Sequence, residues 1–240
     1  RIGDFAAQGF ETLGKVTLAG GAALGGFGAA AVSAFGGFER GMNEVATLLP
    51  QFTDQQLGDL QKKVLQLSSD LGVLPSDVVP ALYQALSAGV PPDNVLGFLE
   101  QSFKAATAGA ADMSTAVDAL TTVVNAYGAE TIDFSRASDV IFTTVRLGKT
   151  DFEQLSRTLF NVIPTAASLG ITFEEVGAAM AVMTARGVPT SVATTQLRAL
   201  MVELSRESTN LSKEFARISG QSFPEFIRNG GNLSQALNIM

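Results

Sequence analysis

Single glycines divide this chain into short segments with one apolar face each, and that punctuation limits the fold more than any other feature. Between Thr53 and Gly72, residues Leu57, Leu60, Val64, Leu67 and Leu71 recur at steps of three and four, the spacing that lines one face of an α-helix. Thr53 or Asp54 offers a side-chain acceptor at the start, and Gly72 can take the left-handed conformation that ends the helix. The same pattern continues down the chain. Ser76 to Ala88 reads as a helix closed by Gly89, and Pro92 to about Thr107 as one closed by Gly109. Asp112 or Ser114 opens a helix that Gly128 ends. Asp133 opens one ending at Gly148, and Asp151 opens another in which Pro164 predicts a kink or break. Thr172 and Glu175 have the spacing of a capping box for a helix ending near Gly187, and Pro189 or Thr190 starts a long helix to about Arg206. Shorter helices follow, and no long alternating strand pattern interrupts the series. The predicted fold class is all-α, a multi-helix domain.

The punctuation repeats. A displacement of 98 positions (72 to 170) places Gly72 on Gly170, Gly89 on Gly187, Val90 on Val188 and Pro91 on Pro189. The apolar residues Leu57, Leu71, Val73 and Leu99 fall on Leu155, Leu169, Ile171 and Leu197. This predicts a duplicated three-helix unit, over about 53–109 and 151–206. In each copy a helix ends at glycine, with the next Val or Ile able to pack back on the last turn. A short helix leads to Gly-Val-Pro, and a third helix starts at or just after the proline, whose fixed φ suits a first turn.

The segment before the helices is different. Between Lys15 and Glu39 no residue is charged, and the run Val16–Phe38 is dominated by Gly and Ala. Its length could span a bilayer, but each glycine weakens an isolated helix by about 0.8–1 kcal/mol relative to Ala. Pairs such as Gly21 with Gly25 and Gly25 with Ala29 permit close helix–helix approach. Three readings stand: a helix packed on copies of itself or a partner, a membrane-inserting segment, and a flexible linker. The expected organisation is a Gly/Ala-rich apolar helical segment at 1–38, a helical core at 39–220 and the start of a further helical extension at 221–240. The chain begins at Arg1 and its last residues still read as helix, so it is expected to be a piece of something longer.

Composition removes whole classes of chemistry. The chain contains no Cys and no His, which excludes thiolate catalysis, Ser-His-Asp triads and His- or Cys-ligated zinc within it. With 46% hydrophobic and 16% charged residues it is too apolar for a disordered chain. So few charges also imply that much of its surface meets other protein. Sixteen Lys and Arg are spread thinly against 23 Asp and Glu, so no basic groove for nucleic acid is expected. Glu174 and Glu175 read as first-turn capping and macrodipole partners, and Asp112, Asp118, Asp133, Asp139 and Asp151 mostly as helix starts. Gly148-Lys149-Thr150 matches only the second half of a phosphate-loop pattern, because Thr143 stands where its first glycine would be. Most of the sixteen phenylalanines, among them Phe98, Phe103, Phe134, Phe142, Phe152, Phe160 and Phe173, fall at apolar helical positions and read as core. The chain is expected to be neither an enzyme nor a cofactor or metal carrier.

Several stretches resemble a known family. Phe38-Glu39-Arg40-Gly41-Met42 is similar to the opening of the core region of phage tail tape measure proteins. Leu82–Val90, Ser114–Gly128 and Thr143–Leu155 are similar to that family's most recognisable stretches, Ala185–Leu204 continues the match, and Phe223–Leu237 resembles the usual extension. The resemblance implies a virion structural protein in the lumen or at the tip of a phage tail. Such a protein sets tail length as a scaffold for tube subunits and is released ahead of the genome. The implied partners are other copies of itself, tail tube proteins and tail tip or baseplate proteins. The host membrane is a further candidate, through insertion of the apolar run to help form a DNA-entry channel. None of these motifs is catalytic. The candidate contact positions are Gly21, Gly25 and Ala29 in the apolar run, and Gly89, Pro91, Gly187 and Pro189 in the two loops.

Overall fold

The computed structural model describes the backbone of residues 25–240 and the side chains from Gly36 onward. Among the described residues there are thirteen α-helices, one 3-10 turn and no strand. They are α1 (Gly25–Thr47), α2 (Asp54–Leu71), α3 (Pro75–Ser87), α4 (Val95–Ala108), α5 (Met113–Tyr127), α6 (Phe134–Leu147) and α7 (Phe152–Ser156). The 3-10 turn Leu159–Asn161 comes next. It is followed by α8 (Ile163–Ser168), α9 (Phe173–Ala185), α10 (Thr190–Ser205), α11 (Asn210–Ser219), α12 (Phe223–Arg228) and α13 (Leu233–Ile239).

Local chemistry sets the boundaries. Thr53 caps α2 with a full capping box to Gln56, and Thr172 does the same for α9 with Glu175. Asp133 and Asp151 accept from the backbone N–H three residues on, starting α6 and α7. Gly72, Gly89, Gly170 and Gly187 take φ of 68°, 91°, 77° and 92°, conformations that an L side chain resists. After each, the next residue donates back five positions: Val73 to Ser68, Val90 to Ala85, Ile171 to Ala166 and Val188 to Met183. These are the Schellman closures that the glycine-plus-aliphatic pattern predicts. The break expected at Pro164 is present, since α7, the 3-10 turn and α8 replace what is one continuous helix, α2, at the corresponding place.

Two expectations are corrected. Helix α4 starts at Val95, not at Pro92, because Asn94 donates to the Pro91 carbonyl and a turn comes first. So the third helix follows directly after Pro189 but not after Pro91. Phe160 is 58% exposed. It lies on the 3-10 turn, at the position equivalent to the solvated Lys62 of α2, and the register carries it outward.

The core is continuous from Phe38 to Ala236. At its centre α5 buries Met113, Ala116, Val117, Ala119, Leu120, Thr121, Val123 and Val124, on more than one side of the helix. Helices α3 and α4 pack on it from one side of the sequence, and α6, α7 and α8 from the other. Burying a side chain such as Leu120 contributes roughly 1.5–3 kcal/mol. The Phe98 and Phe134 rings, 4.2 Å apart between centroids, join α4 to α6. Helices α11 to α13 fold back on the second half, where Phe215 is buried edge-on against Phe223 and Phe226. Helix α1 lies along α3, and α6 lies along α9.

Candidate functional site

Helix α9 is where the second half is keyed together. Its sequence carries no polar side chain between Glu175 and Thr184, and such a helix is normally covered on all sides. On its α6 side it makes a notch. A Cβ placed at Gly177 would lie 2.6 Å from Thr144 Oγ1 and 3.0 Å from Val140 Cγ1. At the end of α6, a Cβ at Gly148 would lie 2.9 Å from the Thr144 carbonyl and would also collide with Thr184 Oγ1. Only glycine lets the two helices come this close. Thr184, fully buried, donates to the Met180 carbonyl at 2.8 Å and accepts from Lys149 N at 3.2 Å, so the Gly148-Lys149-Thr150 loop is pinned to α9. Thr150 and Thr190 share a 2.7 Å hydroxyl hydrogen bond that ties the same loop to α10.

The start of α9 holds two further links. One oxygen of Glu175, Oε2, accepts from Thr172 N at 2.8 Å and completes the capping box, while Oε1 accepts from Leu233 N at 2.6 Å. A single carboxylate therefore serves the first turns of α9 and α13. Tyr127, at the end of α5, donates to the Ile171 carbonyl at 2.9 Å. Burial first, then the charges of Glu175 and Glu174, hold its phenol well above the usual range, so it remains a donor at any ordinary pH. Arg136 pairs with Glu174 at 2.8 Å across the exposed α6–α9 edge, a contact of little stabilising weight at that exposure.

The outward face of α9 is open. Glu174, Ala178, Val182, Ala185 and Arg186 are exposed, Val182 by 56%. Two grooves flank this ridge. One, of about 730 Å³, lies between α9, α10 and α13 and is walled by Val182, Met183, Leu197, Leu200, Leu233 and Leu237. The other, of about 260 Å³, lies between α6 and α9, with Val140, Leu147 and Ala181 in its wall. Ala178 borders both.

The contact candidates chosen from the sequence are placed differently. Gly21 lies outside the described residues, and at Gly25 and Ala29 only the α1 backbone is described. Gly89, Pro91, Gly187 and Pro189 are all exposed, and a Cβ at either glycine would meet nothing within 4 Å. Asn125 of α5 donates to the Ala88 carbonyl, so the first loop is held by the centre of the molecule. The second is tied to the α6–α7 loop through Thr190. The α9 surface was not foreseen, although Glu174, Ala178, Val182 and Arg186 stand at steps of four and could have been read as one face. Among the described residues no group of three or more Asp or Glu could hold a metal ion, and no helix is long and apolar enough to cross a membrane. The remainder of the apolar run lies outside the described residues.

Residues 61–240 match the model of the phage-related minor tail protein family. The chain belongs to that family. Among its relatives, a probable tape measure protein of Clostridium phage phiCD119 is 36% identical over 236 residues, covering 93% of this chain and 25% of that protein. The tape measure protein of Pneumococcus phage Dp-1 is 22% identical over 198 residues, covering 82% of this chain and 17% of that protein. The chain thus spans a quarter or less of the length of these two relatives. No solved structure matches it.

Proposed function

We propose that the chain is a structural region of a tape measure protein, acting by packing and self-association within a phage tail and not by catalysis. The observation that carries this reading is the 36% identity to a probable tape measure protein across 93% of the chain. An all-helical body keyed by glycine notches and hydroxyl links suits a scaffold. Its proposed partners are other copies of itself and the tail tube and tail tip proteins. The matched loops at Gly89–Pro91 and Gly187–Pro189, with the apolar run of Gly21, Gly25 and Ala29, are proposed contact surfaces. The recurring 98-position pattern supports a duplicated unit.

Deletion of residues 39–220 from the intact protein in an infecting phage tests the role. Tails that are absent or altered in length under the electron microscope are expected, and normal tails with normal infectivity would sink the reading. Light scattering of the chain with and without residues 1–38 tests the association element. An oligomer that falls apart without them is expected, and a monomer in both forms would count against association through that run.

A further inference from the structure

The geometry of α9 points to a docking surface for a second copy of the chain. We propose that two copies pair through the outer faces of their α9 helices, antiparallel about a two-fold axis. This deepens the self-association reading but rests on different residues from the apolar run.

The outer stripe of α9 is its own complement. With Arg186, the residue that caps the helix, it runs Glu174, Ala178, Val182, Arg186, an anion at one end, a cation at the other and a small and a larger apolar residue between them. Turned over on itself about the level of residue 180, it places Glu174 opposite Arg186 of the second copy and Ala178 opposite Val182. Each Val182, 56% exposed in one copy, then fills the space beside the other copy's alanine. Each charged end meets its opposite, about 18 Å from the other charged end. Such pairing of a residue i with j and of j with i is what an isologous two-fold interface requires. Arg186 makes no ion pair among the described residues, and Glu174, which uses Oε1 for Arg136, would share its carboxylate between two guanidinium groups.

The surroundings favour the same occupant. The grooves on either side of α9 give the partner helix's ridge a seat, and Leu147 and Leu237 at their outer walls are 62% and 42% exposed. The face is not a by-product of the repeated pattern. The positions of α3 that correspond to Glu174, Val182 and Arg186 are Ser76, Gln84 and Ala88, which offer neither the charges nor the knob. An axis running along a tail would let both copies enter it in the same direction.

The chain has no cysteine of its own, so crosslinking reads the geometry directly. Full-length chains carrying Ala178→Cys and Val182→Cys, mixed and oxidised, are expected to form disulfide dimers severalfold faster than either chain alone. Both positions are exposed, so neither change threatens folding. Arg186→Glu in both chains sets two carboxylates against each other twice and is expected to slow that crosslinking about tenfold. Adding Glu174→Arg is expected to restore it, with circular dichroism checking that the helices remain. Equal crosslinking in the mixture and in each single variant would overturn the proposal. So would indifference to the charge reversal. Oligomers of the intact chain without the crosslinking preference would overturn this surface while leaving self-association through the apolar run standing.

Discussion

In the first half of the molecule α1 lies along α3 and brings the notch: a Cβ at Gly41 would lie 2.6 Å from Val79 Cγ1. In the second half α6 lies along α9 and brings the knobs, Val140 and Thr144, while the notch is Gly177 on α9. Residue 177 is the counterpart of Val79 at the 98-position displacement. The small residue thus sits on the first helix of one pair and on the second helix of the other, although 98 positions on from Gly41 stands Asp139 and not one of the knobs. At a close crossing of two helices either partner can carry the small residue. The backbone closures at Gly72 and Gly170, and at Gly89 and Gly187, show no such freedom, because each needs the same positive φ.

The comparison can be broken hardest at the notch. Gly177→Val, which gives α9 the side chain α3 has, is expected to destabilise the chain by about 3 kcal/mol because both helices already meet there. The denaturation midpoint in urea measures it, and a loss well under 1 kcal/mol would mean that the crossing is loose. Next comes a reciprocal exchange at the helix that is continuous in one half and broken in the other. Gln66→Pro in the middle of α2 removes a helical hydrogen bond and is expected to cost roughly 3 kcal/mol. Pro164→Gln, the reverse change at the corresponding site, is expected to shift stability by under ~1 kcal/mol, since the turn there already accommodates the break. Equal effects of the two changes would show that the halves do not differ in this respect.

A smaller effect is expected at Glu175, which has no equivalent in the first half because position 77 is Asp77, one methylene shorter. Glu175→Gln keeps the size but can no longer accept with two anionic oxygens. It is expected to cost about 1–2 kcal/mol and to speed hydrogen exchange at Leu233 N while leaving Gln56 N unchanged. Unaltered exchange at Leu233 would remove the link to α13. The smallest effect concerns Ser68, whose buried hydroxyl has no hydrogen-bond partner. Its counterpart is Ala166. Ser68→Ala is expected to stabilise the chain by up to about 1 kcal/mol, seen as a slightly higher melting temperature, and a lower one would show the hydroxyl to be engaged.

Helix ends were legible in the sequence because they depend on near neighbours. Thr53, Asp133, Asp151, Thr172 and the closing glycines each act within five residues, and the chain displays them directly. The disruptive effect of Pro164 was equally local. The start of α4 was misjudged because Pro91 and Pro92 both permit a first turn, and the Asn94-to-Pro91 turn decided between them. Gly148 reads only as a helix stop and Gly177 carries no signal of its own in the sequence, yet their roles come from helices 30 or more residues away. Nothing local announces such a contact. The α9 surface escaped for a related reason: an apolar helix with no polar side chain for eight residues reads as buried, and the sequence does not say which side its neighbours leave open.

The placement of α5 bears on how the region would respond to force. Among the described residues helix α1 lies mainly along α3, and α13 sits against α9 and α11 with the Glu175 carboxylate at its start, so tension on either outer helix loads fewer neighbours than α5 has. Helix α5 is gripped by α3 and α4 on one side of the sequence and by α6 to α8 on the other. It cannot be drawn out without opening both halves together. Under a steady pull the outer helices would give way at low load and the centre would fail as one unit, making this stretch of the chain a stiff link with yielding ends.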